Sequence, residues 1–109
     1  MTQFNQQITD IADVPATEII ARYFIELLNV AGIHCGLAED GRAADLDEAR
    51  KLIDACAGMI TATSGYMGDQ HARILRNALR EVQLAFREAS VIPDAPGNGP
   101  GEKYTGPVS

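Results

Sequence analysis

Apolar side chains recur at intervals of three and four residues along much of this chain, and no stretch alternates in the manner of a β-strand. The clearest seam lies in residues 69–90 and consists of Leu75, Leu79, Val82, Phe86 and Ala89. Residues 45–64 divide in the same way, with an outer polar face formed by Asp47, Arg50, Lys51 and Asp54. Such intervals place side chains on one face of an α-helix, so the pattern predicts an all-α fold.

Start and stop signals divide the chain into three helices, predicted at residues 15–36, 45–64 and 69–90. Pro15 suits the first turn of a helix, and Gly36 is a natural stop. Asp45 can cap the second helix, with Glu48 three residues later as in a capping box. Short loops between helices of about five turns each predict a three-helix bundle over residues 14–92.

Both ends of the chain differ from this helical domain. Residues 1–13 are polar and lack periodicity, which predicts a flexible N-terminal arm. Residues 93–109 contain four prolines and four glycines, which predicts a flexible Pro/Gly-rich tail. Tyr104 is its only candidate anchor. The alternative is a segment that folds onto a partner or onto its own domain.

The tail sequence GPGEKYTG shares the residue types of a phosphate-binding loop. In such a loop Gly, Lys and Ser or Thr follow one another directly, between a strand and a helix. Here Glu102 separates Gly101 from Lys103, and Tyr104 separates Lys103 from Thr105. We therefore predict no nucleotide site in the tail.

The first helix is apolar over an arc of about 220°, which is more than one face of a small bundle needs. Its polar strip is narrow and consists of Glu18, Arg22, Glu26 and Asn29. Either this helix is central, or part of its arc meets another chain. We predict a homodimer formed through the first helix. The candidate interface residues are Ile20, Phe24, Leu27 and Ile33.

The charge of the chain bears on its partners and its location. A formal net charge of −6 argues against general nucleic-acid binding and against docking on an anionic membrane. Arg22 and Glu26 interrupt the most apolar stretch, residues 19–35, and the N-terminus does not resemble a signal peptide. These features predict a cytoplasmic protein, in which Cys35 and Cys56 stay reduced.

One local group of positive charges stands out on the third helix. Arg73, Arg76, Arg80 and Arg87 project within about 60° of one another. This row could bind RNA phosphates or an acidic protein. The alternative, which we favour in so acidic a chain, is neutralisation by acidic side chains of the other helices or of a partner subunit.

Four residues carry nitrogen or sulfur atoms that could bind a metal or react as thiols, but no known motif contains them. These atoms belong to His34, Cys35, Cys56 and His71. Their spacing contains no Cys-x-x-Cys and no His pair of the kind that zinc sites use. Both cysteines lie on apolar faces, where a thiol is usually inert. We predict no metal, no cofactor and no catalytic residue, and therefore a protein that is not an enzyme.

Three segments of the chain together resemble a known family. They are DLDEARKLIDACAGMI (45–60), HARILRNALREVQLAFREAS (71–90) and PDAPGNGPGEKYTG (93–106). They resemble the bacterial domain-of-unknown-function family 1844, specifically its actinobacterial branch, over residues 15–106. The resemblance implies a small cytosolic all-α protein and assigns no catalytic or binding residues.

The leading interpretation is thus a protein–protein interaction module with an unidentified partner. The first alternative is an RNA- or ribosome-associated factor that uses the arginine row. A small metal- or thiol-dependent enzyme is a distant third.

Overall fold

The fold consists of three long helices packed against one another, in a computed structural model that describes residues 11–109. They are α1 (Ala16–Gly32), α2 (Leu46–Thr63) and α3 (Asp69–Ala89), and a short α4 (Glu102–Thr105) follows in the tail. No strand occurs within the described residues. The predicted all-α bundle of three helices is confirmed. The predicted flexible arm, residues 1–13, lies mostly outside the part that the structure describes.

The helix ends follow the predicted signals closely. The carbonyl oxygen of Pro15 accepts the first hydrogen bonds of α1, and a π-helical turn, Ile33–Leu37, extends the helix at its other end. Gly36 in that turn has a φ of 92°, a left-handed conformation that favours glycine. The carboxylate of Asp45 caps α2 by accepting a hydrogen bond from the amide of Glu48 at 3.3 Å.

Each long helix contributes one large, fully buried side chain to the centre of the core: Phe24, Ile53 and Leu79. Phe24, predicted as an interface residue, is thus buried within its own chain and has no exposed surface to offer a second one. Helical periodicity revealed that α1 is apolar over a wide arc but could not show which half of that arc faces inward. Leu28 and Ala31 continue the buried half of α1.

The tail is not the free segment that its composition predicts; it packs along α2 and α3 and so follows the alternative given for it, folding onto its own domain. It is attached first at Asp94, which forms an ion pair with Arg50 at 2.9 Å. The guanidinium of Arg50 lies 5.0 Å from the ring centroid of Phe86. The composition of the tail gave no indication of this docking, since its own residues carry few apolar side chains.

Candidate functional site

The apolar surface of α1 continues outward from the side that packs in the core. We call this outward continuation the outer stripe; its members are Ile20, Tyr23, Leu27 and Val30. Tyr23 and Val30 are each 43% exposed, whereas Ile20 and Leu27 are half-buried at the edge of the core. Their spacings of three, four and three residues keep them on one side of the helix, as in a coiled-coil seam.

Two residues near the end of α1 fall outside the register of the outer stripe. Ile33, a predicted interface residue, lies half-buried in the π-helical turn, where the α-helical spacing used to place it no longer applies. Leu37 is 62% exposed at the end of the same turn. Ile20, Leu27 and Ile33, all half-buried, stay predicted interface residues, and the exposed Tyr23 and Val30 lie beside the first two.

The segment Ala16–Leu37 also meets the length and composition criteria of a membrane-spanning helix. This is weak evidence, because core helices of soluble proteins meet the same criteria. Phe24, Leu28 and Ala31 are buried against the rest of this chain, and Arg22 and Glu26 are exposed within the segment.

The four arginines predicted to form a row on α3 are all exposed. Val108 lines both the groove beside Arg76 and Arg80 and a small cavity beside Arg87. The C-terminal segment therefore lies beside both Arg80 and Arg87. Arg80 donates a hydrogen bond to the carbonyl oxygen of Ser109 at 2.7 Å.

The expected neutralisation of these arginines by the other helices does not occur within residues 11–109. The ion pairs of that region are Arg42–Asp40, Arg50–Asp94 and Lys51–Glu48. None of them involves an arginine of α3, so no Asp or Glu side chain of that region pairs with these arginines; Arg80 is held only by the backbone oxygen of Ser109.

A groove of about 480 Å³ lies beside Arg76 and Arg80, between α2, α3 and the tail. Its apolar lining residues are Ala57, Ile60, Leu79, Pro107 and Val108. Its polar lining residues are Thr61, Ser64, Arg76, Arg80, Gln83, Tyr104 and Thr105. The groove thus combines apolar contact surface with two guanidinium groups at its edge.

Two polar side chains of the bundle, which we call the tail clamp, hold the tail in place: Asp54 and Gln83. The carboxylate of Asp54 accepts a hydrogen bond from the amide of Gly101 at 2.6 Å. The side-chain amide of Gln83 donates to the carbonyl oxygen of Pro100 at 3.0 Å and to the hydroxyl of Thr105 at 3.2 Å.

Glu102 closes the tail segment on itself. Its two carboxylate oxygens accept hydrogen bonds from the amides of Gly99 at 2.7 Å and of Val108 at 2.6 Å. Glu102 is only 6% exposed, so hydrogen bonds from backbone amides replace those that its two oxygens would otherwise accept from water. A buried carboxylate satisfied in this way fixes the shape of the segment.

The predicted anchor, Tyr104, does contact α2, but the tail clamp carries most of the polar attachment. The tyrosine ring lies over Gly58, about 3.6 Å from where a Cβ would stand, and remains 45% exposed. One sequence signal for the clamp was available: Gln83 follows Leu79 by four residues and precedes Phe86 by three, which places a polar group on the apolar seam.

The candidate metal and thiol residues do not assemble into a reactive site. Within the described residues, no three His, Cys, Asp or Glu side chains are grouped so that they could hold a metal ion. Cys35 and Cys56 are free and buried. Burial raises the pKa of both thiols, that of Cys56 to about 11. The Cys56 thiol donates to the carbonyl oxygen of Phe24 at 3.8 Å.

We expect both thiols of the folded protein to react slowly with Ellman's reagent at about pH 8. At that pH a group with a pKa near 11 is ionised to about one part in a thousand, and burial also blocks the reagent. The urea-unfolded protein should release two equivalents of chromophore quickly. Rapid reaction of the folded protein would contradict the buried positions of Cys35 and Cys56.

Comparison with known proteins gives one finding. The sequence model of a family described as "Domain of unknown function (DUF1844)" matches residues 17–88, which span α1, α2 and most of α3. No curated protein and no solved structure matches the chain.

Proposed function

The chain belongs to the DUF1844 family, a domain of unknown function, and we propose that it is a cytoplasmic, non-enzymatic interaction module that assembles as a homodimer. The observation that carries this proposal is the outer stripe of α1. Ile20 and Leu27 pack against the core of this chain, whereas Tyr23 and Val30, at coiled-coil spacing beside them, remain 43% exposed and are available to a second chain.

The exposed part of the outer stripe supports a contact with a second copy. Tyr23 and Val30 are large apolar side chains, and Leu37 extends the exposed apolar surface beyond them. Contiguous apolar patches on soluble proteins commonly mark interaction sites. A two-fold axis would cover the stripe with the same stripe of a second chain, and this is the commonest symmetry of soluble oligomers.

Light scattering at micromolar concentration should give about twice the chain mass of 11.7 kDa. Val30→Glu should reduce the mass to that of one chain and leave the helical circular-dichroism spectrum intact, because the new charge would be buried only in the dimer. Asn29→Glu adds the same charge to the exposed polar strip and serves as the matched control. A wild-type monomer, or equal effects of both variants, would refute the dimer.

The non-enzymatic part of the proposal is supported by the state of the thiols. A nucleophilic cysteine needs a lowered pKa and access to substrate. Cys35 and Cys56 have neither, because both are buried and their pKa values are raised.

A second candidate function is an RNA- or ribosome-associated factor. The observation that favours it is the exposed arginine row of α3, which lacks carboxylate partners within residues 11–109. The net charge of −6 opposes it, since most RNA-binding domains rely on an excess of positive charge. Binding of a labelled single-stranded RNA that weakens with rising salt would support it.

A further inference from the structure

We propose that the groove beside Arg76 and Arg80 binds an acidic peptide segment of a partner protein. This inference names a partner class for the proposed interaction module and therefore rests on that function. It does not rest on the homodimer, because the groove lies between α2, α3 and the tail, whereas the outer stripe lies on α1.

The arginines supply the charge that selects an acidic ligand. Arg76 and Arg80 are four residues apart on α3, so their side chains leave the helix from neighbouring turns on the same side. Both are exposed, and neither pairs with an Asp or Glu side chain in residues 11–109; Arg80 donates one hydrogen bond to the backbone oxygen of Ser109. Guanidinium groups bind carboxylates through paired, charge-assisted hydrogen bonds.

The apolar lining favours a peptide over a nucleic acid. Ile60, Pro107 and Val108 offer contact surface for aliphatic side chains, and Tyr104 is the only aromatic residue among the lining residues. Single-stranded RNA needs several stacking faces and a long basic track, neither of which this groove has. A segment that alternates acidic and aliphatic residues matches both features of the groove.

The wall formed by the tail is fixed before any ligand arrives. Thr105 is held by Gln83, and the amide of Val108 is held by Glu102. Arg80 already donates to one oxygen, the carbonyl of Ser109, which keeps its guanidinium at the edge of the groove. A groove that is already formed loses little conformational entropy on binding.

The test measures fluorescence anisotropy with a fluorescein-labelled peptide of four Glu-Leu-Glu repeats, titrated with the full-length protein. We expect binding that weakens as salt rises, and no binding of the corresponding Gln-Leu-Gln peptide. The double variant Arg76→Glu, Arg80→Glu should bind the acidic peptide at least about tenfold more weakly than the wild type. The control double variant Arg22→Glu, Arg42→Glu makes the same change in net charge at exposed positions away from the groove and should bind as the wild type does.

Three results would overturn the proposal: no binding of the acidic peptide, equal loss in both double variants, or tighter binding of a single-stranded RNA of the same length. Circular dichroism of every variant shows whether a loss of binding reflects unfolding. If Arg76→Glu, Arg80→Glu does not fold, Arg76→Gln with Arg80→Gln supplies the same comparison without charge reversal. Light scattering of the same samples reports the dimer separately, so failure of the groove and failure of the dimer are distinguishable.

Discussion

Phe24→Asp should abolish cooperative folding of the domain. Phe24 has no solvent exposure and lies among Leu28, Ile53 and Leu79 in the shared core of the three helices. Removal of a buried phenylalanine ring alone costs about 3–5 kcal/mol. An unpaired carboxylate in its place adds a further penalty of several kcal/mol. Small domains are stable by only about 5–15 kcal/mol, so the thermal transition followed by circular dichroism should disappear or shift far downward.

Tyr23→Asp is the matched control, because it makes the same substitution one residue earlier at a position that is 43% exposed. It should keep the folded spectrum and weaken the dimer. If Phe24→Asp yields no soluble protein, the loss of stability can be measured with Phe24→Ala instead. Should Phe24→Asp melt near the wild-type temperature, the inward orientation of this side of α1 would be wrong.

Tyr23 and Phe24 are neighbours in the apolar arc of α1, yet the sequence pattern does not predict that one is exposed and the other buried. The spacing of apolar residues located three helices within a few residues of their observed ends, because periodicity is a local property of the chain. It also indicated that α1 is apolar over a wider arc than one face of a small bundle needs. The choice between the inner and outer halves of that surface depends on how α2 and α3 approach, which no local pattern contains.

The tail was mispredicted for a related reason. Glycine and proline favour flexible segments when their own side chains are the only source of stability. Here the stability comes from side chains far away in the sequence: Asp54 binds a tail amide 47 residues away, and Gln83 binds a tail carbonyl 17 residues away. In the sequence, Asp54 lies on the polar face of its helix and gives no sign of this role. Gln83 does give one, because it is a polar residue on the apolar seam of α3.

Gly101→Ala should release the tail from the bundle. Gly101 has a φ of 75°, a left-handed conformation that costs other residues about 1–2 kcal/mol. A Cβ at this position would stand 2.9 Å from the Cβ of Ala57 and 3.1 Å from the side-chain nitrogen of Gln83. Relief of that overlap costs about 1–3 kcal/mol more, because Ala57 is part of the packed core. Urea unfolding should therefore show a loss of about 2–5 kcal/mol.

Gly36→Ala separates backbone strain from packing. Gly36 is also left-handed, with a φ of 92°, but a Cβ there would meet only the Cβ of Ala44 at an ordinary 3.8 Å. It should lose stability through strain alone and leave the tail attached. Hydrogen exchange at the amides of Gly99 and Val108, which Glu102 binds, should therefore accelerate in Gly101→Ala and not in Gly36→Ala. Unchanged exchange in Gly101→Ala would mean that the tail does not depend on the close approach of Gly101 to α2. The wall that the tail contributes to the groove beside Arg76 and Arg80 would then not depend on Gly101.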